Sequence, residues 1–177
     1  ETGTSANASG IGADTSGNGH HFTLVNIGAQ NQTTDTPSNN FCVVNPAANN
    51  NYDSPSGSLE MGGNRLQNSG GGFTTYLCTT PFSSGKWYWE LKIEAQSAAD
   101  YSNFGIVSEA SQATNKPVGM YANDWGIYAG IDGYVNDATD TSNWCDNFTT
   151  GDIMSIALDL DNNKLYAAKA GSWSDGT

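Results

Sequence analysis

Lys86-Trp87-Tyr88-Trp89-Glu90-Leu91-Lys92-Ile93-Glu94 is the most ordered pattern in the chain. Trp87, Trp89, Leu91 and Ile93 take alternate positions, and Lys86, Tyr88, Glu90, Lys92 and Glu94 take the others. A period of two is that of an extended strand, whose successive side chains point to opposite faces. A helix would scatter the four apolar groups around its circumference. An antiparallel strand lays all four against a second sheet and leaves the charges in water.

Outward from this strand the same grammar repeats. Further strands are predicted at Asn103 to Val107, Trp125 to Ala129, Ile153 to Leu160 and Lys164 to Lys169, with Met154, Ile156, Leu158 and Leu160 on one face. Asn162-Asn163 is read as the two-residue turn joining the last pair. Short alternating runs with frequent turns and no amphipathic helix predict an all-β fold, with two antiparallel sheets packed face to face as a β-sandwich.

Composition agrees. The chain has 177 residues, enough for one domain or one domain plus an arm. With 21 Gly and 11% aromatic residues it suits strands and turns rather than a helix bundle or a disordered acidic tail. Six basic against 18 acidic side chains give a formal charge of -12, which repels phosphate backbones and anionic headgroups, so neither nucleic acid nor a membrane surface is an expected partner. No apolar run approaches the ~18 residues needed to cross a bilayer, and a soluble product is expected. Cys42, Cys78 and Cys145 fit no zinc spacing, and their odd number precludes complete intrachain pairing, which argues against a disulfide-stapled scaffold. The start at Glu1 rather than Met is read as a processed or excised one.

Residues 1–40 are polar and rich in Gly, Asn and Thr, and are read as an extended N-terminal arm or the end of a preceding lectin-like module; residues 41–177 form the sandwich. Within the arm, Thr15 to Gly19 is a tight turn, and His21 to Ile27 has the apolar content of a strand, Phe22-Thr23-Leu24-Val25 alternating well enough to pair. Asp35-Thr36-Pro37 marks the boundary.

Taken together, Gly85-Lys86-Trp87-Tyr88-Trp89-Glu90, Phe104-Gly105-Ile106-Val107, Trp125-Gly126-Ile127-Tyr128, Thr150-Gly151-Asp152-Ile153 and the run from Ala157 to Tyr166 resemble the SPRY family of concanavalin-like jelly rolls in order and spacing, over about residues 73–171. That family usually carries more strands after the hairpin at 162–163, so a sandwich truncated at its C-terminal end is expected. Asp14 to Gly19 leading to Phe22, and Asp35 to Phe41, resemble the lead-in of tailed-phage tail-fibre and virion-surface proteins. This likeness implies a binding or structural role on a particle surface, with virion or fibre subunits as partners, a homo-oligomeric state and an extracellular, virion-surface location.

The candidate binding surface is the loop region from Tyr121 to Trp144 and on to Asp146. Tyr121, Asn123, Asp124, Trp125, Tyr128, Tyr134, Trp144 and Asp146 mix flat aromatic faces with amides and carboxylates there. Aromatic faces stack on the C–H patches of sugars while fixed polar groups orient hydroxyls, so a carbohydrate or protein ligand is expected. Trp125 and Trp144 also suit the core. Glu90 and Glu94 imitate the acid pair of jelly-roll glycoside hydrolases, but Lys92 lies between them, and ~13 Å of strand separates their backbones where a retaining mechanism needs carboxyls ~5 Å apart. Catalysis is not expected. Asp159-x-Asp161-x-Asn163 opens like a calcium loop, yet Lys164 stands where the turn needs Gly and no Glu closes it. Asp132, Asp137, Asp140 and Asp146 are read as an acidic solvated stretch. Adjacent His20 and His21 point apart in an extended chain and cannot share a metal. No metal or cofactor is therefore expected. Three functions follow, in order: non-catalytic recognition of host-surface glycan or protein, a structural capsid or fibre subunit without receptor contact, and a glycan hydrolase.

Overall fold

Strand β5 (Lys86–Lys92) forms where the alternation places it and pairs antiparallel with β10 (Ile153–Asp159) in the register Trp87↔Leu158, Trp89↔Ile156 and Leu91↔Met154. This register puts the apolar positions of both strands on one face. The computed structural model describes residues 10, 12–25, 38, 41–51, 57–68, 74–96, 102–109 and 116–175. Among the described residues the protein is all-β, with strands in four antiparallel sheets of two to four strands. The chain divides into two compact units, one made of residues 1–49, 55–71 and 76–80 and the other of residues 50–54, 72–75 and 81–177.

β1 (Val44–Asn51) pairs with β4 (Thr74–Cys78), and in the first unit β2 (Gly57–Glu60) pairs with β3 (Arg65–Asn68). The β2–β3 hairpin turns through Met61 and two glycines, all at positive φ, and Glu60 and Arg65 close it with an ion pair. Tyr76 donates its hydroxyl hydrogen to the Gly57 carbonyl at 3.2 Å. The tight turn predicted in the arm is present and is organised by one carboxylate. Asp14 accepts from the Ser16 and His20 backbone N–H groups, both at 2.8 Å, with Gly17 and Gly19 at positive φ. The strand predicted from His21 does not form over the described part. Among the described residues, 21–25 belong to no strand, and the Phe22 N–H donates to the Gly12 carbonyl at 3.0 Å. Residues 26–37, with the Asp35-Thr36-Pro37 boundary, lie outside the described residues.

The second unit holds two four-stranded sheets. One has the order β12-β11-β10-β5, with β11 at Lys164–Lys169 and β12 at Ser172–Trp173; the other has the order β6-β7-β8-β9, from Asn103–Ile106, Trp125–Tyr128, Gly133–Asn136 and Thr139–Thr141. Its apolar core draws on both sheets. Met154, Ile156, Leu158, Leu165 and Ala167 come from the first, Ile127 from the second, and Ala129 and Phe148 from the connections. Trp89, Leu91, Ile93, Phe104, Ile106 and Trp125 pack around them half-buried.

Three expectations change here. Trp87 stays 40% exposed rather than buried with its neighbours, its indole N–H donating to the Ser84 carbonyl at 2.8 Å and its ring against Phe82. The β10–β11 connection is a four-residue turn, Leu160 to Asn163, not a two-residue one, because Asp159 reaches forward to accept from the Asn162 backbone N–H and side-chain amide. The region from Tyr121 to Asp146 is not one long loop but carries the strands β7, β8 and β9. Asp137 and Ala138, both at positive φ, make the two-residue hairpin turn between β8 and β9.

Candidate functional site

Two turns of the second unit shape an open cleft of about 260 Å³. On one side lies the segment after β9. Asp132, in the left-handed region with φ 52°, presents its carbonyl to the N–H groups of Trp144 and Cys145 at 3.0 and 3.1 Å. Lys169 donates to the Asn147 carbonyl at 2.8 Å and pairs with Asp152 at 2.9 Å, fixing the far end of the segment. The Lys169 ammonium beside Asp152 holds that carboxyl below its ordinary range.

On the other side lies β12. Ala170 and Gly171, with φ 49° and 85°, form the tight turn that returns the chain from β11. Ser174 extends the return, its N–H donating to the Ala167 carbonyl at 2.8 Å and its hydroxyl oxygen accepting from the Ala167 N–H at 3.0 Å. Trp173 pairs across the strand with the fully buried Ala168, comes within 6.4 Å of the Tyr88 ring, and remains 49% exposed.

Trp144 and Trp173 therefore line the same cleft, together with Asp132, Asn143, Asp146 and Ser172. Trp144 is held at both ends: Tyr134 meets it edge-on at 5.1 Å, and its indole N–H donates to the Asp175 carbonyl at 2.6 Å. Cys145 also lines the cleft, but burial, with Asp132 and Asp146 adding to it, pushes its thiol up to about 11. At neutral pH it is a thiol, not a nucleophilic thiolate. The lining is mainly polar, with Trp144 and Trp173 among residues that carry carboxylate, amide and hydroxyl groups.

The residues singled out from sequence are distributed over different tasks. Trp144 and Asp146 line the cleft, and Tyr134 supports Trp144. Asp124 is 2% exposed; it accepts from the Ser108 N–H at 2.9 Å, and its carbonyl accepts from the Asn136 amide at 2.7 Å, so it ties loops to β8. Tyr128 donates to the Val118 carbonyl at 2.7 Å, and burial pushes its phenol up to about 12. Tyr121 is half-buried, with the Lys116 ammonium 5.0 Å above its ring, and Asn123 is exposed. Trp173, Asp132, Asn143 and Ser172 were not singled out as ligand-binding residues. Trp173 stands in a two-residue strand, too short to show a period, and only the Ala170-Gly171 turn brings it beside Trp144.

The two imitations of chemistry resolve into local structure. Asp159 pairs with Lys86, and Asp161 accepts from the Gly85 N–H at 2.9 Å, so both carboxylates tie the β10–β11 turn to the start of β5. Glu90 accepts from the Tyr88 hydroxyl at 2.5 Å. Among the described residues no group of three or more His, Cys, Asp or Glu side chains is placed to hold a metal ion. No protein-family model matches this chain, and no curated protein matches it in sequence.

Proposed function

We propose that the chain is a non-catalytic recognition module on a two-sheet β-sandwich of the SPRY or concanavalin-like kind, with a neutral glycan received in the Trp144–Trp173 cleft. The observation that carries the reading is that two tryptophans from separate segments line one cleft with residues that carry carboxylate, amide and hydroxyl groups. Indole faces gain by covering the C–H patches of a pyranose, and fixed acceptors select the hydroxyl pattern. The net charge of -12 and the carboxylates of Asp132 and Asp146 favour an uncharged sugar over an anionic one. The sandwich is supported by the apolar core shared between the two four-stranded sheets. The placement on a virion appendage rests on the likeness of the arm to tail-fibre lead-ins.

A glycan array followed by titration calorimetry tests this. Binding to neutral glycans is expected, and Trp173→Ala should lower the affinity at least tenfold while leaving the circular dichroism spectrum unchanged. Absence of binding to any glycan, or full affinity in Trp173→Ala, overturns it. The second reading, a structural subunit, is favoured by Phe22 and Val25, which are 74% and 72% exposed on the arm and suit burial against a partner.

A further inference from the structure

The first compact unit contains Cys42 and Cys78, whereas Cys145 belongs to the second. Cys42 stands just before β1, and Cys78 is the last residue of β4. Beyond the ends of those strands the two segments stay together. The Thr79 N–H donates to the Val43 carbonyl at 2.8 Å, and the Val43 N–H donates to Thr79 Oγ1 at 3.1 Å. With Val43 opposite Thr79, alternation along the two antiparallel segments puts the side chains of Cys42 and Cys78 on the same face of the ribbon. On that face they are diagonal neighbours, Cys42 opposite Thr80 and Cys78 opposite Val44, near enough for the Cys42 thiol to act on that of Cys78. Both residues keep surface open to solvent, so a small reagent can reach them.

We propose that Cys42 and Cys78 are a redox-active pair that closes into an intramolecular disulfide by exchange with a small disulfide such as oxidised glutathione. The closure staples the entry to β1 onto the end of β4. In the first step the Cys42 thiolate attacks one sulfur of the glutathione disulfide; that S–S bond breaks, and one glutathione leaves as its thiolate and takes up a proton. In the second, Cys78 gives its proton to solvent and attacks the Cys42 sulfur of the mixed disulfide, expelling the second glutathione thiolate, which is protonated. Two protein thiols are oxidised, and one glutathione disulfide is reduced to two molecules of glutathione. Burial and the neighbouring Cys42 push the Cys78 thiol up to about 11, so Cys78 acts second, as the resolving thiol.

Thiol titration and mass spectrometry of the whole chain, incubated folded with oxidised glutathione, test this. The expected result is a fall from three free thiols to one, a mass lower by two hydrogens, and a single cross-linked peptide pair joining Cys42 to Cys78. Cys42→Ser and Cys78→Ser should each lose that cross-link. Incubation in denaturant, where the pairing of Val43 with Thr79 is gone, should yield mixed pairings that include Cys145. Retention of all three thiols in the folded protein, glutathione adducts without the cross-link, or disulfides that join two molecules would overturn the proposal.

Discussion

Single carboxylates hold several of the turns on which this fold depends. Asp159 illustrates the type: hydrogen bonding from the Lys86 ammonium, and then from Asn162, lowers its carboxyl to about 2 from an ordinary 3.8. Asp14 is lowered to about 2 by its hydrogen bonds from Ser16 and His20. For a group whose pKa is depressed by folding, the stabilisation is complete above the unfolded value and drains away as pH falls through the folded one. Both turns should therefore loosen between pH 3.8 and about 2, and not at neutral pH. Carboxyl chemical shifts followed by NMR check this, with Lys86→Met expected to move the Asp159 midpoint upward while Asp14 stays in place. An Asp159 midpoint unmoved by that substitution would remove the ion pair from the explanation. Asp159 and Asp161 serve this turn in the same way, accepting from Lys86, Asn162 and the Gly85 N–H.

Among the elements, β10 shows most directly what alternation is worth. Met154, Ile156 and Leu158 are buried, whereas Ile153, on the opposite face beside Lys92, is 50% exposed. Two isoleucines three residues apart in one strand thus occupy different solvents. Ile156→Ala should cost about 2–5 kcal/mol through lost transfer energy and a cavity. Ile153→Ala should stay within about 1 kcal/mol, since half its surface is already wet. Urea denaturation midpoints measure both, and equal losses would contradict the assigned faces. The strands legible in sequence were those long enough to show a period: β5, β10 and β11, with β6 and β7 close behind. The hairpin β8–β9 was read as loop because its turn is Asp137-Ala138 instead of a glycine pair, and alanine at φ 57° gives no warning in the sequence. For the strand expected from His21 the pattern was present, but its described residues, 21–25, belong to no strand.

For the molecule as a whole, charge sets the terms of association. At -12 the chain repels itself, and screening that repulsion favours the compact state. Thermal stability should rise when salt is increased from ~10 mM to ~150 mM, as the Debye length shortens from ~30 Å to ~8 Å. Glycan affinity should change less than twofold over the same range, because an uncharged ligand releases no counterions; differential scanning fluorimetry and calorimetry read the two effects. A steep salt dependence of binding would point to a charged ligand and away from the cleft chemistry proposed above.

The β class, the apolar faces of β5 and β10, and the net charge were determined by the sequence alone, since periodicity and charge are properties of neighbouring residues and of sums. The cleft was decided only by tertiary structure. Trp144 and Trp173 are 29 residues apart in the chain, and the distance between them depends on a left-handed Asp132, a Lys169 tether and a tight turn at Ala170-Gly171. The pairing of Cys42 with Cys78 is of the same kind, for it exists only because two segments far apart in sequence lie side by side. Local pattern specifies which face of an element is apolar, but which two elements will share a cleft depends on how the whole chain closes its hydrogen bonds.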